Sequence, residues 1–185
     1  MPFISNGVEY ALHCLLYLVA PSGERGDANV RDLAVLQGVS VEYLAKLFTK
    51  LSRAGLVVAA EGARGGFALA RPAQEITFLD VVLAIDGEKP LFECREIRTR
   101  CAVFGEEAPQ WATSGLCSIH AVMVTAEERM KQELARHTLA SLARQVAKKA
   151  PAHFDVQIGN WLDNRKSGSR VSLDAQTQEG ASGKR

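Results

Sequence analysis

Residues 30–56, VRDLAVLQGVSVEYLAKLFTKLSRAGL, constrain the fold more than any other stretch. Leu33, Ala34 and Leu36 lie on one face of a short helix over 30–37. Leu44, Leu47, Phe48 and Leu51 do the same for a second helix over 41–54. Between them, Gly38 suits a left-handed C-cap and Ser40 suits an N-cap. Two amphipathic helices so close together must pack their stripes against each other, as in a helix-turn-helix. The next residues, GLVVAAEGARGGFALA (55–70), hold two strand-like runs around a glycine-rich turn, which predicts a β-hairpin. A helix-turn-helix followed at once by a hairpin is a winged helix. In that geometry the second helix enters a DNA major groove and the hairpin tip meets the neighbouring backbone. Ser40, Glu42, Tyr43 and Lys46 lie in the first turns of the second helix and point into the groove. Lys50 and Arg53 lie further along and suit phosphate, and Arg64 and Gly65 occupy the wing.

The flanking segments read as helical support. Residues 5–20 form a helix capped by Ser5 or Asn6, with an apolar stripe of Val8, Leu12, Leu15, Leu16 and Val19. Residues 75–87 form another, started near Thr77, with Phe78, Val81, Val82 and Ile85 on one face. Residues 118–137 predict a long amphipathic helix with Val122, Ala126, Met130 and Leu134 at four-residue spacing, which suits a dimer contact. A short helix over 138–150 and an amphipathic end follow, and the polar, Gly/Ser-rich residues 163–185 read as a disordered tail. The organisation expected is therefore mainly α with one small hairpin. A winged helix-turn-helix domain spans 1–72, and residues 73–162 hold a helix, a cysteine-containing loop and the dimerisation helix.

The formal net charge of +1 argues against coating nucleic acid or membrane by bulk charge. No apolar run is long enough to span a bilayer and no basic n-region precedes the first apolar stretch, so a cytoplasmic location is expected, with no membrane partner. In a reducing compartment clustered cysteines point to a metal or a redox function before a disulfide. Three of the four cysteines, Cys94, Cys101 and Cys117, fall in one turn-rich loop, and His120 follows Cys117 by three residues. Thiolates are soft anionic donors suited to iron–sulfur clusters, and three Cys with one His also form a usual zinc set. Cys14, inside an apolar helix, reads as a buried structural thiol. Glu9 and His13 are four residues apart, the spacing that puts two side chains on one helical face. No nucleophile–base–oxyanion constellation is visible, so the chain is not expected to be an enzyme, with a thiol or metal enzyme as the rival of another class.

Over roughly residues 1–145 the chain resembles the winged-helix regulator family that includes the iron–sulfur cluster regulator IscR, the nitric-oxide sensor NsrR and the redox regulator RsrR. The resemblance rests on VSVEYLAKLFTKLSRAGLV (39–57), GARGGFALARPAQEITFLDVVLAIDG (62–87), the trailing cysteines with IRTRC (97–101), and a first helix GVEYALHC (7–14) most like the RsrR branch. It implies a homodimeric transcription factor on an inverted-repeat operator in double-stranded DNA, sensing redox, nitrosative or iron–sulfur status. It further implies an iron–sulfur cluster, of the 2Fe-2S type or alternatively 4Fe-4S, held by Cys94, Cys101 and Cys117. Glu9 and His13 match the non-cysteine ligands of the RsrR branch, supplied from the partner's first helix, and His120 is the alternative. A cluster-free member sensing through thiols or a small ligand is the rival within the family. Two features depart from the pattern. The cysteines are spaced C-x(6)-C-x(15)-C, with a long second gap, and Glu61 stands where many members carry arginine, leaving the tip contact to Arg64.

Overall fold

The structure is a computed structural model that describes residues 4–20, 23–24, 26–60, 65–151 and 153–179; side chains are not described at 23–24 and 167–179. Eight helices and two small antiparallel sheets are found among these residues.

Helix α1 runs Asn6–Leu16. Ser5 is its N-cap, but its side chain does not cap the helix. Its N–H (2.8 Å) and hydroxyl (2.5 Å) donate instead to the Asp86 carboxylate. The helix ends short of the expected residue 20, because Val19–Ala20 (β1) pairs with Gly23–Glu24 (β2). Pro21 follows in sequence, and a residue before proline is disfavoured in the helical region.

The helix-turn-helix forms as the apolar pattern requires. Helix α2 is Val30–Gln37 and α3 is Val41–Arg53. Gly38 closes α2 at φ 70°, a left-handed conformation that a side chain would strain. Ser40 Oγ accepts the Tyr43 N–H at 3.2 Å and so satisfies one of the orphan donors of α3. The wing is β3 (Val57–Ala60) against β4 (Gly66–Leu69), in register from Val57↔Leu69 to Ala60↔Gly66. Ala28 joins its outer edge by two bonds to Phe67, of 3.0 and 2.9 Å. At that seam a Cβ on Gly66 would lie 3.0 Å from Asp27 Oδ2 and 3.1 Å from the Ala28 carbonyl oxygen, so any side chain there would push this edge back by a few tenths of an ångström.

Helix α4, Phe78–Asp86, starts in a reciprocal capping box between Thr77 and Asp80. The core gathers here. Val8, Cys14 and Leu15 of α1, Leu33 of α2, Leu44, Phe48 and Leu51 of α3, and Val81 of α4 are all buried. A loop with two 3₁₀ turns and a short helix, α5 (Gln110–Thr113), leads to α6, Ser118–Arg136. No residue of α6 is buried within the chain. Of its expected stripe, Met130 and Leu134 border a small cleft against α4, while Val122 and Ala126 are exposed. Each four-residue step advances about 40° beyond a full turn, so such a stripe spirals from one face to another. Helix α7, Leu139–Lys149, opens with a second capping box, Thr138 with Ser141.

Helix α8 spans Phe154–Glu179. Part of the segment expected as a disordered tail, 163–185, falls within this helix, and residues 180–185 lie outside the described ones. Ile158 and Leu162, one turn apart, are buried and anchor the helix, which carries the following polar residues with it.

Candidate nucleic-acid interface and cysteine loop

The outward face of α3 presents Glu42, Tyr43 and Lys46, all exposed. The Tyr43 ring packs edge-on against Tyr10 of α1 at 5.7 Å between centroids, which restricts its orientation. Ser40 is exposed, with its hydroxyl engaged in the cap. Lys50, expected to meet phosphate, is exposed and has a protein partner in the free chain. Its Nζ donates to the Ile85 carbonyl at 2.6 Å, so it satisfies a C-terminal carbonyl of α4 and binds α3 to α4. At the base of the wing, the Gly65 carbonyl accepts from Asn29 Nδ2 at 3.0 Å. Arg64 and Glu61, the tip residues, lie outside the described residues.

The cysteine loop is tied down at both ends. The Leu91 N–H donates to Glu127 of α6 at 2.9 Å, and Phe92 packs against the His120 ring at 6.1 Å. Cys117 is the N-cap residue of α6. The Ile119 and His120 N–H groups face its sulfur without closing a regular capping bond, and they hold its pKa below the ordinary thiol range. Arg98 and the nearby Cys94 thiol act in the same direction, while partial desolvation opposes them. Cys94 donates to Glu96 at 3.6 Å. Glu96 in turn pairs with Arg98 at 2.8 Å, and Arg98 also donates to the Gly115 carbonyl at 2.7 Å. Arg98 thus joins the two ends of the loop, and Glu96 adopts a left-handed φ of 49° to reach it. Glu96 and Arg98 carry no distinguishing signal in the sequence, where they stand among Glu93, Arg95 and Arg100 in a charged turn segment.

Within one chain the structure therefore brings Cys94, Cys117 and His120 to the start of α6. Cys101, between the two 3₁₀ turns, is exposed. Among the described residues, no three His, Cys, Asp or Glu side chains are grouped so as to hold a metal ion. Glu9 and His13 are exposed on one face of α1 and line a separate cleft of about 400 Å³ with Phe78, Val82, Leu134 and Val146. Cys14, on the opposite side of α1, is fully buried, and burial pushes its thiol up from 9.0 to about 12, as expected of a structural thiol.

A two-helix reader with a hairpin wing on a helical frame defines the winged-helix regulators. A family model described as Rrf2, iron-dependent transcriptional regulator, matches residues 4–145, and the chain belongs to the Rrf2 family. The protein rrf2 of Nitratidesulfovibrio vulgaris is 32% identical over 130 residues, which is 70% of this chain and 80% of that protein. The HTH-type transcriptional regulator IscR of Serratia proteamaculans is 31% identical over 142 residues, 77% and 79% of the two chains. The structure of CymR, the global cysteine regulator of B. subtilis, superposes with a TM-score of 0.59 at 25% identity, covering 78% of this chain and 98% of that one. The chain is thus an Rrf2-family transcriptional regulator. No helix among the described residues is long and apolar enough to cross a membrane.

Proposed function

We propose that the chain is a homodimeric repressor or activator that reads an inverted-repeat operator and senses redox, nitrosative or iron–sulfur status through an iron–sulfur cluster on the 94–117 loop. The observation that carries this reading is the approach of Cys94 to Cys117 at the N terminus of α6, where the backbone N–H groups of His120 and Ile119 hold the Cys117 thiol below its ordinary pKa. A thiolate is the form that ligates iron, and a helix N-terminus beside an arginine is a site that stabilises it. Cys101 on the same loop is the third donor. Glu9 and His13 are the non-cysteine donors, delivered by the partner's α1, with His120 as the alternative beside Cys117. Separation of the loop from the α1 face within one chain accords with ligation across a dimer. When bound, the cluster would supply a one-electron redox centre of the 2Fe-2S or 4Fe-4S type. This chain's own part is to hold two thiols at one helix end and, through Arg98, to fix the ends of the loop. On DNA, Glu42, Tyr43 and Lys46 face the bases, with Arg64 and Gly65 of the wing on the backbone.

The test is anaerobic purification with iron and sulfide counts and a visible spectrum, on the unaltered chain and on Cys94→Ala, Cys101→Ala and Cys117→Ala. Loss of colour in the Cys94 and Cys117 variants is expected; full absorbance and iron content in either defeats the cluster assignment. Dimers mixed from a Cys117 variant and a His13→Ala variant should recover about half of the sites in trans. The same two thiols also favour a second reading, a cluster-free switch that closes Cys94 to Cys117. That reading predicts iron-free protein whose DNA affinity changes when this pair is oxidised.

A further inference from the structure

The family match ends at residue 145, before α8 begins. Yet α8 is fastened to the DNA-binding head. Beyond the buried Ile158 and Leu162, the Arg165 guanidinium lies 4.9 Å from the Trp161 ring centroid and pairs with Asp32 of α2 at 2.6 Å. One residue on, Lys166 pairs with Asp27 at 3.3 Å. Both pairs line a groove of about 770 Å³ whose other walls include Val41 and Ala45 of α3 and Gly65 of the wing. With α3 in a major groove and the wing on the adjacent backbone, phosphates pass along the channel between them. Without α8, that channel would present the carboxylates of Asp27 and Asp32 to the phosphates.

We propose that α8 is an added part of the DNA-binding surface: Arg165 and Lys166 cover the carboxylates of Asp32 and Asp27 and turn this edge of the head from repelling to accepting a phosphate backbone. The inference rests on the assignment of DNA binding to the Rrf2 head. Both ion pairs are partly exposed, so they add little to folding stability. Their charges still act on a polyanion at close range, where each neutralised position changes affinity and salt dependence together. The expected signature is therefore a change in DNA affinity without a matching change in stability. Ile158 and Leu162 remain in place in the variants chosen, so the helix stays docked.

The experiment measures binding of the full-length chain to a random-sequence DNA duplex by fluorescence anisotropy across a salt series. Arg165→Ala with Lys166→Ala should bind about tenfold more weakly at low salt, with a shallower dependence of log K on log salt. Adding Asp27→Asn and Asp32→Asn to that variant should restore most of the lost affinity. Thermal unfolding followed by circular dichroism should be nearly unchanged throughout. Equal binding by the Arg165/Lys166 variant, or no recovery from the Asp changes, overturns the proposal. Tighter binding also overturns it and makes α8 an obstruction of the groove. If the unaltered chain binds no duplex, the DNA-binding assignment itself fails and takes this proposal with it. Binding by the unaltered chain with indifferent variants removes α8's role alone.

Discussion

At the residue scale, two side chains in the head show how position decides chemistry. Cys14 is a thiol enclosed by the core, and burial favours its neutral form. Its folded pKa is raised, so the stability it contributes is complete below the ordinary thiol pKa of 9.0 and is lost as pH rises toward about 12. Chemical denaturation over that alkaline window should show the unaltered chain losing stability, and Cys14→Ala losing less over the same range. Equal slopes for both would remove Cys14 from the account. Lys50, a phosphate contact by its sequence position, donates to the Ile85 carbonyl in the free chain. Lys50→Ala should cost about 1.5 kcal/mol in denaturant unfolding, the low end for a hydrogen bond from a charged donor, since the side chain is exposed. Its effect on the salt dependence of DNA binding should be small beside that of Arg64→Ala, since a lysine held by a carbonyl releases few counterions.

At the scale of elements, capping bonds and one close approach set the geometry of the reader. Ser40→Ala removes the acceptor for the Tyr43 N–H and should destabilise the protein by about 1 kcal/mol. The same cap fixes where α3 begins, so Glu42 and Lys46 should lose part of their base preference; operator selection from a random pool would reveal it. The wing is held from its outer edge by Ala28, across a seam where a Cβ at Gly66 would crowd Asp27 and the Ala28 carbonyl. Gly66→Val should therefore loosen the wing more than it weakens the core. Proteolytic cleavage within 57–69 should rise before the melting temperature falls by more than a few degrees, and an unchanged cleavage rate would argue that the seam adapts.

At the scale of the whole molecule, α6 has the exposure of a helix that expects a partner. Ile119 and Val122 are 63% and 67% exposed on a helix with no buried residue of its own. Exposed apolar side chains gathered on one face mark an interaction site, and a second copy offers a matching face by two-fold symmetry. Ile119→Glu with Val122→Glu should give a monomer in sedimentation, with operator affinity falling by at least tenfold because both half-sites are no longer engaged together. A dimer that survives both changes would place the interface elsewhere.

Local chemistry was legible in the chain itself. The 3.6-residue apolar periods of α2 and α3, Gly38 and Ser40 at their ends, the hairpin after them and Thr77 at the start of α4 all follow from backbone sterics and short-range hydrogen bonding. Such causes act within a few residues. The loop's thiols, the Glu9–His13 spacing and the buried character of Cys14 could be named for the same reason. Tertiary structure decided what depends on residues far apart. Lys50 turns to α4 across 35 positions, Ser5 to Asp86 across 81, and Arg165 to Asp32 across 133. Arg98 links the ends of a loop that reads only as charged turn sequence. The helical course of α8 through a polar segment also belongs here, because its anchors Ile158 and Leu162 matter only once a core exists to receive them. Periodicity records which face of a helix is apolar; only packing decides which neighbour that face, and each charge beside it, will meet.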